Sequence, residues 1–209
     1  MRQIMIFCLL ATGTLFAQKS AADATKAQQQ AGLETITLGG GCYWCVEAVY
    51  ENLVGVQSVV SGFAGGKTAD PTYEQVSSGI TGYAEVVQIT YDKKITNLDE
   101  IFKVFFTVHD PTTLNRQGAD VGTQYRSAIF YKNDEQKKAA QSIITALTKA
   151  KAYKKPIVTT LEPFTKFYKA EAYHQNYYAN NKSQPYCEMV IQPKLEKFEK
   201  VFVNRLKKK

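Results

Sequence analysis

Cysteine is scarce in this chain, four residues in 209, which excludes a small scaffold held together by disulfides. Glycine (13) and proline (6) are too few for a collagen-like or low-complexity chain. The only histidines are His109 and His174, and no second CxxC accompanies the pair Cys42 and Cys45. Tetrahedral zinc wants four ligands, and Cys187 with the two histidines stands at scattered positions, so no metal is expected, and no cofactor. No internal repeat divides the chain. No uninterrupted apolar run reaches the ~20 residues of a membrane span. What is present is ordinary: 44% hydrophobic residues, within the globular range, so stability must come from a packed core.

Lysine and arginine exceed aspartate and glutamate, 26 to 19. The excess gathers at the C-terminus, in Lys197, Lys200, Arg205 and Lys207 to Lys209, where a solvated face accounts for it, so no nucleic-acid partner is expected. At the other end Arg2 precedes an apolar run from Ile4 to Leu10 that continues through Ala11, Leu15 and Phe16 to Ala17. This predicts an export signal over 1–17, cleaved near Ala17, a periplasmic or secreted protein, and no stable membrane insertion. Cys8 lies in the middle of the run without small residues before it, which argues against a lipid anchor. Residues 18–32, mostly Ala, Gln and Lys, read as a flexible lead-in to a single catalytic domain over 33–209 with a basic C-terminal helix and tail. Three cysteines then remain, and an odd number in an exported protein leaves at least one thiol free or in exchange.

The expected elements follow the hydrophobic periods. Thr35 to Leu38 has strand character, Gly39, Gly40 and Gly41 break it, and from Cys42 the apolar Val46, Val49, Tyr50 and Leu53 recur at helical spacing. Strands are predicted over Gly55 to Phe63, Gly82 to Tyr91, Tyr125 to Tyr131 and Ile157 to Leu161. Asn97 with Glu100 reads as a capping box before Ile101, Val104 and Phe105, and Asn133 with Gln136 caps a second amphipathic helix. Glu171 to Tyr178 and Lys194 to Leu206 are predicted as helices. Strands adjoin helices without a regular βαβ rhythm, so the reading is α+β, a mixed sheet with helices packed on it.

The chemistry concentrates at Gly41-Cys42-Tyr43-Trp44-Cys45. In the first turn of a helix, unpaired N–H groups and the macrodipole favour a thiolate, so Cys42 is expected to have a lowered thiol pKa and to act as a nucleophile. Cys45, three residues on, shares its helical face and is placed to form a disulfide with it. An inert structural disulfide and a thioredoxin-like exchange pair are the alternatives, and a non-enzymatic surface-binding domain is a more distant one. Alternation in Tyr83 to Tyr91 puts Glu85 on the apolar face, where desolvation would hold its carboxyl protonated; a sheet-edge position reaching water is the other reading. The polar run Arg116 to Ser127, with Asp120 and Tyr125, leads into a core strand as site-lining loops often do. His109 and His174 read as structural.

Taken together, Gly41-Cys42-Tyr43-Trp44, Pro71-Thr72-Tyr73, Gly82-Tyr83-Ala84-Glu85, His109-Asp110-Pro111-Thr112 and Gly122-Thr123-Gln124-Tyr125-Arg126-Ser127 closely resemble the A-type peptide methionine sulfoxide reductases, in order, from about Leu33 to about Glu188. The resemblance implies a two-layer α+β sandwich with a ferredoxin-like core. It implies reduction of the S epimer of methionine sulfoxide, free or in oxidised proteins, with thioredoxin or a thioredoxin-like reductant as partner. By position, Cys42 matches the nucleophile, Glu85 the acid that protonates the sulfoxide oxygen, Tyr43 and Trp44 the aromatic wall for the substrate methyl group, and Tyr73, Asp120 and Tyr125 the remaining polar lining. Tyr43 stands where the family usually has Phe, and Cys45 where it commonly has Gly. Two residues are therefore candidates for the resolving cysteine: Cys45, favoured by proximity, and Cys187, in Gln184-Pro185-Tyr186-Cys187, which matches the family's C-terminal cysteine region and could serve as a relay.

Overall fold

The computed structural model describes residues 32–208; the expected export signal, Cys8 and nearly all of the lead-in lie outside the described residues. In chain order the elements are β1 (Leu33–Gly40), α1 (Tyr43–Tyr50), β2 (Val56–Ala64), α2 (Tyr73–Ser77), β3 (Ala84–Asp92) and α3 (Leu98–Val108). Then come the two short strands β4 (Arg116–Gln117) and β5 (Asp120–Val121), β6 (Ser127–Tyr131), α4 (Asp134–Lys149), β7 (Thr160–Pro163), β8 (Phe167–Lys169), α5 (Tyr177–Asn180) and α6 (Gln192–Val201).

Six strands form one sheet in the order β7-β6-β1-β3-β2-β8. The succession β1-α1-β2-β3-α3-β6 with spatial order β6-β1-β3-β2 is the ferredoxin-like arrangement, extended by β7 and β8. The sheet is mixed, since β6 pairs with β7 parallel while β1 with β6, β2 with β3 and β2 with β8 run antiparallel. The α+β expectation holds.

Interior strands must bury both faces, and β1 and β3 do: Ile36, Thr37, Leu38, Val86, Val87 and Ile89 have no exposed surface. Against them α3 presents Ile101, Phe102, Val104 and Phe105, all fully buried. Each such side chain contributes roughly 1.5–3 kcal/mol on leaving water. Asn97 starts α3 by accepting the Glu100 N–H at 3.0 Å, but the box is half made. The Glu100 carboxylate turns instead to Thr96 Oγ1 and Arg205.

That ion pair corrects the view of the C-terminus as merely solvated. Arg205 also donates to the Ile95 carbonyl, Leu206 bridges Leu53, and Lys197 Nζ donates to the Thr107 carbonyl at 2.6 Å. Other boundaries differ as well. Tyr125 closes a 3₁₀ turn (Thr123–Tyr125) ahead of β6, and the strand expected at Ile157 begins at Thr160. The helix expected over Glu171 to Tyr178 is broken into a 3₁₀ turn (Ala172–His174) and α5 by Asn176 in the left-handed region, φ 52°. Gln175 accounts for the break: its side-chain amide accepts from the Ser61 N–H and donates to the Ser61 and Ala170 carbonyls, holding the segment against β2. The last helix starts at Gln192, after a π-helical turn over Cys187–Ile191. Pro193 has no N–H to give the Met189 carbonyl, so the regular α pattern fails there.

Candidate active site

The glycine turn after β1 aims the site. Gly41 has φ +90°, and a Cβ there would lie 2.5 Å from Gln117 Cγ, so both backbone conformation and close approach demand glycine. The turn delivers Cys42 to the N-cap of α1, where its side chain makes no capping bond. The first free amide of the helix, Tyr43 N–H, donates instead to Glu85 Oε2 at 3.2 Å. A side chain from β3 thus occupies the anion-favouring end of α1, beside Cys42.

Glu85 is 2% exposed, on an interior strand opposite Phe63 of β2, which rules out the sheet-edge reading. Burial pushes its carboxyl up to about 8, against the Tyr43 amide and with help from the negative charges of Asp120 and Cys45. At neutral pH the group is mostly a neutral acid. Since Oε2 accepts from Tyr43, Oε1 is the oxygen left to carry the proton.

The thiols correct the expectation of a lowered Cys42 pKa. All three described cysteines are free and buried. Burial drives the Cys42 thiol well above its ordinary value, followed by its hydrogen bond to Cys45 and the charges of Cys45 and Glu85; the Tyr186 hydroxyl opposes this. Cys45 is brought down to about 7, chiefly by that bond from Cys42 and, against burial, by Lys194 and Tyr186. Of the two, Cys45 is therefore the thiol that ionises more readily. Desolvation outweighs the helix terminus, whose field is worth only about 0.3–1 kcal/mol in ordinary settings.

The other expected residues converge on the same place. Glu85 and Cys42 both bear on the Tyr73 and Tyr125 hydroxyls, and burial raises both phenols. Asp120, on β5, accepts from the Tyr186 hydroxyl at 2.7 Å, and that oxygen lies 3.9 Å from Cys45 Sγ. Tyr43 and Trp44 sit with ring centroids 6.0 Å apart, and the Trp44 indole is stacked on Tyr177 at 3.6 Å, 7° from parallel, with the Tyr186 ring edge-on at 5.9 Å. Cys187 is fully buried and feels Cys45.

Sequence reasoning missed Tyr186 and Tyr177. Tyr186 stood next to Cys187 in a quoted motif, which was the one available signal; Tyr177 carried none. The two histidines differ in setting. His109 ends α3, donates from Nδ1 to the Phe105 carbonyl at 2.6 Å and accepts from Ser127 Oγ at 2.8 Å, and burial holds it neutral, down to about 4. His174 is buried among Tyr43, Trp44, Tyr73 and Tyr173 with no hydrogen-bond partner among the described residues for either ring nitrogen. A cavity of about 540 Å³ lined by His109, Gln117, Tyr153 and Lys194 contains none of the expected site residues.

Known proteins are similar to this chain in sequence and in fold. A family model described as Peptide methionine sulfoxide reductase matches residues 34–206. Peptide methionine sulfoxide reductase MsrA of Saccharolobus solfataricus is 53% identical over 175 residues, covering 84% of this chain and 98% of the relative. Peptide methionine sulfoxide reductase MsrA 1 of Rhodopirellula baltica is 53% identical over 176 residues, 84% of this chain and 91% of its own length. Among solved structures, reduced Mxr1 from Saccharomyces cerevisiae aligns with a TM-score of 0.68 at 36% identity, over 75% of this chain and 90% of the other. Methionine sulfoxide reductase A of Corynebacterium diphtheriae aligns with a TM-score of 0.63 at 36% identity, over 73% and 77%. On this match of sequence and fold, the chain belongs to the peptide methionine sulfoxide reductase family as an A-type oxidoreductase.

Proposed function

We propose that Cys42 attacks the sulfur of the S epimer of methionine sulfoxide, free or in oxidised proteins, while Glu85 protonates the departing oxygen. The observation that carries this is the Glu85 carboxyl, neutral and bound through Oε2 to the amide next to Cys42. A sulfoxide sulfur resists attack until its oxygen is polarised. A neutral carboxyl with the Tyr73 and Tyr125 hydroxyls supplies donors where negative charge develops. Tyr43 and Trp44 form the wall for the S-methyl group, where sulfur–ring contacts are worth about 0.3–1.5 kcal/mol.

The Cys42 thiol gives up its proton as its sulfur bonds to the sulfoxide sulfur; Glu85 gives its own to the oxygen and is reprotonated by the one from Cys42. The hydroxyl moves to Cys42, so a sulfenic acid forms and methionine leaves. Cys45, hydrogen-bonded to Cys42 and the more readily ionised of the two, attacks the sulfenic sulfur as its thiolate; the reprotonated Glu85 gives its proton to the departing hydroxyl, so water leaves and a disulfide closes. Cys187, which feels the charge of Cys45, relays that disulfide outward by exchange, and a thioredoxin-type dithiol returns the enzyme to its reduced form.

Assays with each sulfoxide epimer, beside insulin reduction, test the reading. Turnover of the S epimer alone is the expected result. Strong insulin reduction without sulfoxide turnover would instead make the Cys42 and Cys45 pair a general exchange centre.

A further inference from the structure

Glu47 is a carboxylate with 1% of its surface exposed, and no step above uses it. It lies on α1 three residues after Trp44, on the same helical face. Its Oε2 accepts the backbone N–H of Tyr177 at 3.3 Å, while Oε1 has no hydrogen-bond partner among the described residues. Tyr177 is the residue whose ring stacks on Trp44. It follows Asn176, which is held at φ 52° so that the chain turns back to present that amide to α1. Helix α1 therefore carries both the indole and the acceptor that fixes the ring covering it.

An apolar side chain would fill the Glu47 site without the desolvation that a half-satisfied carboxyl incurs, a penalty that pushes this one up to about 7. The alternative, a carboxyl group serving α1 itself, fails on geometry, because the groups that favour its charged form, the Tyr177 and Asn176 amides and the Ser61 side chain, all lie outside the helix. We propose that Glu47 is a positioning residue: by gripping the Tyr177 amide it clamps the Tyr177 ring over Trp44 and sets the indole in the orientation that receives the sulfoxide methyl group. The inference rests on the reading of Trp44 as substrate wall.

The test uses the fact that Trp44 is the sole tryptophan of the chain, so fluorescence excited beyond the tyrosine absorption band reports on it alone. Glu47→Ala removes the acceptor and Glu47→Gln keeps an oxygen for the Tyr177 N–H. In the full-length enzyme Glu47→Ala is expected to shift Trp44 emission and raise KM for methionine sulfoxide about tenfold with kcat within about twofold, the pattern of lost uniform binding. Its rate of Cys42 alkylation by iodoacetamide stays that of the unaltered enzyme, and Glu47→Gln restores both emission and KM. Tyr177→Ala, which deletes the ring and keeps the amide, is expected to reproduce the emission shift and raised KM, and the double variant to be no worse than either single one. Unchanged emission in both Glu47→Ala and Tyr177→Ala overturns the clamp while leaving the wall intact. Shifted emission with unchanged KM overturns the wall reading and the inference with it. A Glu47→Gln variant as impaired as Glu47→Ala overturns the role of the acceptor. Should Glu47→Ala fail to fold, the Tyr177→Ala emission and KM decide alone.

Discussion

Glu85, from the middle of the sheet, holds the backbone N–H of Tyr43 at 3.2 Å, and so sits against the residue that follows Cys42. One bond joins the candidate acid to the helix end that carries the candidate nucleophile. Their relative position is thus set by β3 and α1, two of the most buried elements in the fold, rather than by loops.

The protonated Glu85 gives the site a pH dependence. With its carboxyl raised from 4.5 to about 8, the acid form is populated at neutral pH and lost above about 8, so the single-turnover rate should fall as pH climbs through that value. Glu85→Gln should slow the sulfoxide step at least ~100-fold while leaving Cys42 alkylation intact, within the usual range for general acids. A single-turnover rate equal to that of the unaltered enzyme would remove the acid role.

Stability carries the same signature. A carboxyl whose folded pKa is raised binds its proton more tightly in the folded state. Its stabilising contribution is full below the unfolded value near 4.5 and drains away as pH rises to about 8. Denaturant midpoints of the Glu85→Gln variant should therefore decline less between pH 5 and pH 8 than those of the parent, and parallel curves would contradict the burial argument.

The cysteines separate by stage. Cys42→Ser should abolish reduction. Cys45→Ser should complete one round and then stall as the sulfenic acid, visible as about one methionine released per enzyme. Full recycling in Cys45→Ser would move the resolving step to Cys187, and mass mapping of the disulfide formed after one turnover distinguishes the two.

Tyr186→Phe removes the hydroxyl that bonds Asp120 and lies by both thiols of α1. The pH profile of thiol alkylation should move upward. The lost hydrogen bond should cost about 1 kcal/mol of stability. An unmoved profile would mean that the phenol serves Asp120 alone.

Gly41→Ala meets two obstacles, a left-handed φ of +90° and the Gln117 side chain 2.5 Å from the new Cβ. Strain of this kind costs of order 1–3 kcal/mol, so its melting temperature should drop. Adding Gln117→Ala relieves the clash and leaves the φ penalty, so only partial recovery is expected; complete recovery would mean that the backbone conformation is unstrained.

Much of this was legible beforehand because it is local or periodic. The glycine break before Cys42 and the apolar spacing of α1 and α3 are written in neighbouring residues. The burial of Glu85 followed from alternation only as one of two readings, because whether β3 is interior depends on β1 and β2 pairing on its two sides. The lowered thiol expected for Cys42 came from the helix end, a local term, and was reversed by burial, a global one. Asn176 broke a helix that the spacing of its neighbours allowed, through contacts of Gln175 with a strand more than a hundred residues away. Tyr186 and Glu47 have partners 66 and 130 positions away, Asp120 and Tyr177, and nothing in their own surroundings advertised it.

The three described cysteines are buried, Cys42 least so, and Tyr186 with the wide turn over Cys187–Ile191 covers the side of Cys45 and Cys187. A protein-sized electron donor cannot touch a bridge between them in this conformation, so reduction requires that the cover peel back. The π-helical turn before Pro193 departs from the regular α pattern, and opening is expected to start there. Oxidation of the enzyme should then be readable from outside as faster amide exchange at Glu188 and Met189 than in the thiol form. Equal exchange in the two redox states would mean that the donor enters by another door.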